Sequence, residues 1–468
     1  MSSLSLGVDL GTTSVKVSLV DILSKSLIFC TSEPTNSDIN KEDIQGFEQD
    51  VSKIFDAVVS CLIRITDKNR SLIKCISISG QMHGVLLWNS QNQSGLGENT
   101  ITASNNSNLY TWQDKRATAE FLASLPKPDS HQNVSTGFGC VTLFWLQRFD
   151  QEKLVLYDVV GGIMDYLVML LCGLECPVMS HQIATSWGYF CSEKMSWNTE
   201  ILQEANFPVH LLPHVTEAGN QAGTLCKDWL GISKGTPVLV GLGDLQCSFV
   251  SASKNNHDAV MNISTSGQLC YPISIPDFIP PRFPVPCPVS YFPFFNNTYL
   301  AVAASLNGGN VLSAFVKMLQ DWFSTFGFTL DKETIWKKLT EMSTSNEGDS
   351  GANGGMIIQP VLYGERHDPS LTGSLSGANL YNTSLDCVFK SVCEGLVHNL
   401  YQMMPLSKLI ESGITRLVLT GSVVDKQPYV KECVRRSYSP LEVVDGIGAD
   451  SAFGAALVAC RFIEASSK

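Results

Sequence analysis

The chain has no cluster of Lys and Arg, no Cys-x-x-Cys pair and no apolar run long enough to cross a bilayer. Each absence excludes something. A duplex-binding surface needs a basic stripe. Here 44 acidic residues outnumber 32 basic ones, for a formal net charge of -12, so no nucleic-acid partner is expected. The strongest membrane candidate, VVGGIMDYLVMLLCGL at 159–174, is too short and carries Asp165, and it reads as a buried helix ended by Gly173. No membrane partner is expected. The N-terminus has no basic leader followed by an apolar stretch, which predicts no secretory signal. The fifteen cysteines are scattered, mostly within apolar runs, and read as reduced core residues of a cytoplasmic protein. His210 and His214 stand four apart, but Pro213 between them disfavours the helix that would align them on a metal.

Charged residues are scarce at 16% against 44% hydrophobic, which is the composition of a packed globular protein. With 468 residues, two or three domains are expected. Strand and helix patterns alternate, giving an α/β class. FEQDVSKIFDAVVSCLIRIT (47–66) has helical spacing, and IKCISISG (73–80) reads as a buried strand. The polar stretches 91–108 and 343–355 read as loops, and VSASKNNHD (250–258) as a linker between the halves.

The opening segment LSLGVDLGTTSVKVSLVD (4–21) is strand-like on both sides of a break at Asp9, Gly11, Thr12, Thr13 and Ser14. Two readings stand. One is a plain hairpin turn. The other is a phosphate cradle, with Gly11 permitting close approach and the hydroxyls and N–H groups facing oxygens. In the second reading Asp9 holds a divalent cation through water. The same strand, hydroxyl-and-Gly turn, strand order returns in AVMNISTSGQLCYPI (259–273). Two such hairpins, one near the start of each half, suggest a duplicated domain with a cleft between the copies.

GVDLGTTS, GLGDLQ (241–246), NISTSG (262–267) and TGSVVDKQ (420–427), in this order and spacing, resemble the FGGY carbohydrate kinases over essentially the whole chain. ISGQMHGVLLW (78–88) and YTWQDKR (110–116) resemble the sugar segments of that family's ketose branch, and TGFGCVTLFWL, SYFPFFNNTYL and GERHDP narrow it further. The resemblance implies two ribonuclease H-like domains of the actin and Hsp70 superfamily, over 1–252 and 253–468, closing over ATP and sugar. It implies ATP-dependent phosphorylation of a ketose, sedoheptulose, at its terminal hydroxyl, feeding the pentose phosphate pathway, in a monomer or homodimer. Xylulose and ribulose are the alternative substrates. A non-catalytic nucleotide-dependent binding protein of the same superfold is the alternative of another class, which would need no sugar site.

By the same resemblance Asp244 is the catalytic base, accepting the proton of the attacking hydroxyl. Gln81, Met82, His83, Trp112, Asp114 and Gln246 bind the sugar. Some relatives follow the acid directly with Gln or Asn, whereas Leu245 intervenes here before Gln246. Thr12, Thr13, Ser14, Lys16 and Thr265 face the ATP phosphates, and Gly308 and Gly421 line the adenosine pocket. Asp9 stands in the outer shell of Mg²⁺. Relatives often carry three small residues where this chain has Gly421, Ser422 and Val423.

Overall fold

The computed structural model describes residues 3–39, 45–91, 95–273, 278–282, 287–344, 355–446, 448 and 450–466. The expected loop at 343–355 falls mostly outside them. The chain opens with β1 (Leu4–Leu10), β2 (Ser14–Asp21) and β3 (Leu27–Pro34), an antiparallel meander. All seven residues of β1 are buried, Asp9 included. Helix α1 (Val51–Ile63) follows, started by Asp50, whose carboxylate accepts from the Ser52 and Lys53 N–H groups. Its face of Val51, Ile54, Phe55, Val58, Cys61 and Leu62 is buried, the spacing the sequence displays.

β4 (Ile73–Gly80) then pairs parallel with β1, as an apolar run buried on both faces suits. Helix α2 (Ile163–Cys172) is the buried helix expected there, and it stops at Gly173, whose φ of 64° closes the end. β5 (Gln221–Thr224), β6 (Pro237–Leu239) and β7 (Leu242–Gly243) complete the first sheet, ordered β5-β6-β4-β1-β2-β3 with β7 also beside β4.

Helix α3 (Asp244–Ala252) leads into the second sheet. That sheet comprises β8 (Asp258–Ile263), β9 (Gly267–Ile273), β10 (Val289–Pro293), β11 (Tyr299–Ser305), β12 (Arg416–Thr420) and β13 (Glu442–Asp445), ordered β10-β11-β9-β8-β12-β13. β8 pairs antiparallel with β9 and β9 with β11, and β12 joins β8 in parallel, as β4 joins β1. Helices α4 (Gly309–Thr325), α5 (Lys332–Thr344) and α6 (Leu385–Met403) cover this half. The last helix, α7 (Ser451–Ser466), leaves the second sheet and packs on β1, β2 and β4 of the first.

Each sheet has its own apolar core. A third cluster, including Leu242, Cys247, Val250, Val260, Val302, Ala455 and Val458, joins the two through α3 and α7. The expected linker is shorter than its composition suggested. Val250 and Ala252 belong to α3 and Asp258 begins β8, where its carboxylate is paired with Arg416 at 2.6 Å. Only 253–257 connects the elements. Within 91–108, Gly95–Leu96 and Ile101–Thr102 pair as a small hairpin that buries Leu96 and Ile101.

Candidate active site

Register assembles the site. β1, β4 and β7 run parallel, with Asp9 beside Ser79, Leu10 beside Gly80, Leu242 beside Ser79 and Gly243 beside Gly80. Their carboxyl ends therefore deliver Asp9, Gln81 and Asp244 to one edge of the sheet, the usual place for a site in an open α/β sheet. Lys16, opposite Asp9 across the hairpin, lies 3.8 Å from Asp450.

Asp9 is 7% exposed, and Ser79 Oγ donates to its Oδ1 at 3.2 Å. Burial, aided by the nearby charge of Asp244, pushes its carboxyl up to about 7 against the pull of Ser79 and Lys16. Burial likewise lifts Asp244 to about 6, although the Leu245 N–H donates to its Oδ1 at 2.7 Å. Two desolvated carboxylates, one of them raised further by the other's charge, are what a divalent cation would relieve, so the donor set fits Mg²⁺. Among the described residues no cluster of three or more His, Cys, Asp or Glu ligands exists.

The first turn is tied to its sugar-side neighbours. Thr12 Oγ1 accepts from Trp112 Nε1 at 3.1 Å and donates to Gln81 Oε1 at 3.4 Å. Gln49, unmarked by any motif, donates to the Thr12 carbonyl at 2.7 Å, and Gln81 Nε2 donates to Gln49 Oε1 at 2.9 Å. Thr13 is exposed, and Gly11 donates to the Ser14 carbonyl at 3.1 Å.

His83 follows in a strained turn with φ of 74°. Its ring stacks on Phe138 at 4.6 Å, and its Nδ1 is 2.8 Å from the Ser186 carbonyl. Nδ1 therefore carries the proton and Nε2 accepts. Burial holds the ring neutral, with the imidazole pushed down to about 4. Met82 is buried and Trp112 is 41% exposed, so the indole is available as a wall. Both oxygens of Asp114 are engaged by Arg116, which also pairs with Glu48 at 3.0 Å. Asp114 is thus a brace for the Trp112 turn and has no open carboxylate. Gln246 is fully buried, and its amide donates to the Pro293 carbonyl of β10 at 3.1 Å. This arrangement leaves it no exposed surface for sugar.

On the other side, Ser264, Thr265, Gly309, Ser422 and Val423 line a cavity of about 1330 Å³ that α5 walls with Trp336. That exceeds the roughly 300–1,000 Å³ of ordinary small-molecule sites. The close approach here demands glycine. A Cβ on Gly308 would stand 2.6 Å from the Ser266 backbone, and one on Gly421 (φ 107°) 2.5 Å from the Ile263 carbonyl oxygen. Ser422 and Val423, the departures from the family's small residues, face the cavity. Buried Glu365, within the GERHDP segment, holds the approach to Gly308, accepting from Ser305 Oγ at 2.7 Å, Leu306 N at 2.9 Å and Asn307 Nδ2 at 2.8 Å. Periodicity gives no sign of Glu365, Gln49 or Trp336, because their roles exist only across elements.

Two sheets share a five-strand core, each with a hydroxyl-bearing hairpin, and two carboxylates stand at the edge of the first, the architecture of a duplicated α/β domain. Residues 4–251 match the family model described as "FGGY family of carbohydrate kinases, N-terminal domain". The chain belongs to the FGGY family of carbohydrate kinases and has its two-domain actin/Hsp70-like fold. It is 42% identical to the sedoheptulokinase of Homo sapiens over 98% of this chain and 97% of that one. It is 41% identical to the sedoheptulokinase of Mus musculus, over 97% and 96%. The xylulose kinase structure from Rhodospirillum rubrum superposes with a TM-score of 0.79 at 17% identity, covering 97% of this chain and 89% of that one. Among the described residues no helix is long and apolar enough to cross a membrane.

Proposed function

We propose that this carbohydrate kinase transfers the γ-phosphoryl group of ATP to the terminal hydroxyl of sedoheptulose, giving the 7-phosphate. The observation that carries the mechanism is the parallel register of β7, β4 and β1, which brings Asp244 and Asp9 to one edge of the sheet on either side of β4. Asp244 accepts the hydroxyl proton as the new O–P bond forms and the bond to the ADP oxygen breaks. Its raised pKa keeps it basic enough to take a proton near neutrality. Gln81 and the free Nε2 of His83 accept from sugar hydroxyls, while Met82 and Trp112 flank its C–H faces. Thr12, Thr13, Ser14 and Lys16 face the phosphates from one side and Thr265 from the other. Gly308 and Gly421 leave room for the adenosine. Asp9 would hold Mg²⁺, which would supply neutralisation of phosphate charge when bound. The choice of sedoheptulose over xylulose is supported by 42% identity across nearly the full length of the human sedoheptulokinase. The fifteen free thiols suit a reducing cytoplasm.

The test is a panel of ketoses with ATP and Mg²⁺. Sedoheptulose is expected to give the highest kcat/KM. A higher value for xylulose or ribulose replaces the substrate, and no phosphorylation of any sugar refutes the reading.

A further inference from the structure

The last helix reaches the catalytic edge from the far end of the chain. A Cβ on Gly7 of β1 would stand 1.9 Å from the Ala452 carbonyl oxygen, and one on Gly454 of α7 would stand 1.8 Å from that of Cys247 in α3. Backbone therefore meets backbone on both flanks of α7, and the helix is a wedge between the strand that carries Asp9 and the helix that Asp244 begins. Glycine at both contacts leaves the first turn of the wedge no slack.

At its tip Ser451 touches both sides. Its hydroxyl donates to the Asp244 carbonyl at 3.1 Å and is 2.7 Å from the Ser248 hydroxyl, one turn on in α3. Its carbonyl lies 3.4 Å from Ser79 Oγ, the hydroxyl that also donates to Asp9 at 3.2 Å. Ser451 is 8% exposed, so these bonds form away from competing water. Its neighbour Asp450 caps the same helix, accepting from the Phe453 N–H at 2.8 Å, and faces Lys16.

We propose that Ser451 is a positioning residue for phosphoryl transfer, fixing Asp244 relative to the strand that carries Asp9 by bonding its hydroxyl to the Asp244 carbonyl from a helix packed backbone to backbone on β1. This rests on the reading of Asp244 as the base. The catalytic edge would then be completed by a residue more than two hundred positions downstream, and the C-terminus would control geometry without touching substrate. A displacement of about 1 Å in a reacting group costs on the order of 10²-fold in rate. The glycine contacts still hold α7 when one hydroxyl is lost, so a smaller effect is expected.

Steady-state kinetics with sedoheptulose and MgATP test this. Ser451→Ala is expected to lower kcat about tenfold while both KM values stay within about twofold. Ser451→Thr, which keeps the hydroxyl, is expected to recover at least about half of the lost turnover. Cys460→Ala removes another contact of α7, the 3.1 Å approach to Ser5 Oγ, and is expected to lower the melting temperature with kcat unchanged. Wild-type kcat in Ser451→Ala, a Thr variant no better than Ala, or an equal kcat loss in Cys460→Ala would each overturn the proposal. If Ser451→Ala does not fold, Ser248→Ala, which removes the other partner of the Ser451 hydroxyl, carries the test, with a fall in kcat expected and an unchanged kcat overturning it. Asp244→Asn separates the two claims. Turnover retained there sinks the base, whereas turnover lost there but kept in Ser451→Ala sinks only the positioning role.

Discussion

The two hairpins are built alike and charged differently. In the first, Asp9 precedes the last residue of β1, and the parallel neighbour places Ser79 beside it, just before Gly80. In the second, Asn262 precedes the last residue of β8, and the parallel neighbour places Thr420 beside it, just before Gly421. Both side chains bond to that neighbouring hydroxyl, Asp9 to Ser79 at 3.2 Å and Asn262 to Thr420 at 3.1 Å. One scaffold thus presents a carboxylate at the first hairpin and a neutral amide at the second. The physical logic is electrostatic. A polyphosphate can be approached by one carboxylate if a cation intervenes, and the neutral amide adds no second repulsion.

The comparison breaks hardest at the base. Asp244→Asn keeps the shape and removes the proton acceptor, so kcat should fall by about 10²-fold or more with ketose KM largely kept. Rapid-quench turnover checks it, and near-normal turnover in folded protein refutes it.

Next comes the exchange of the two side chains. Asp9→Asn gives the first hairpin the amide of the second and should cost roughly 10- to 100-fold in kcat/KM for MgATP, with a steeper Mg²⁺ requirement and ketose binding retained. Asn262→Asp should instead raise KM for MgATP by about 3- to 10-fold, as an uncompensated charge faces the phosphates. Equal effects of the two exchanges would show the hairpins to be interchangeable, against this account.

Gly421→Ala probes the nucleotide side alone. At φ 107° and with the Ile263 carbonyl in the way, a methyl group should cost about 1–3 kcal/mol of stability and raise KM for ATP without changing that for sugar. Urea unfolding and separate KM measurements decide it.

The smallest effect is on stability with pH. Asp9 holds its proton up to about 7 in the folded state, against 3.8 as the ordinary value. Between those values the folded chain binds more protons than the unfolded, so this group's contribution to stability falls as pH rises from about 4 to 7. Without Mg²⁺, Asp9→Asn should therefore raise the melting temperature at pH 8, by an amount worth on the order of 1 kcal/mol, and leave it unchanged at pH 4. Turnover of the wild type should rise with pH through about 6, where Asp244 ionises. A scan showing no pH-dependent difference would mean that Asp9 is an ordinary, solvated carboxylate.

The α/β class, the two hairpins, the buried helix ended by Gly173 and the acid of GLGDLQ were legible in the sequence. Each is a local pattern of hydrophobic period, glycine and polar punctuation. The placement of Asp9, Asp244, Gln81, His83 and Thr265 at or just beyond strand ends was legible too, from the breaks in their motifs. What they touch was not. Asp114 became a brace because Arg116 and Glu48 meet it across elements, and Gln246 is committed to the Pro293 carbonyl of the other sheet. Gln49 and Ser451 carry no motif, and Glu365, though within GERHDP, shows its partners only in the fold. Chain order assigned the last helix to the second half, and only its packing against Gly7, with its own Gly454 against Cys247, put it beside the first sheet. Local sequence determines which backbone can form and which chemistry it presents. The separation of two carboxylates far apart in the chain is set by register and by which backbones approach closely, and these exist only once the sheets have closed around shared helices.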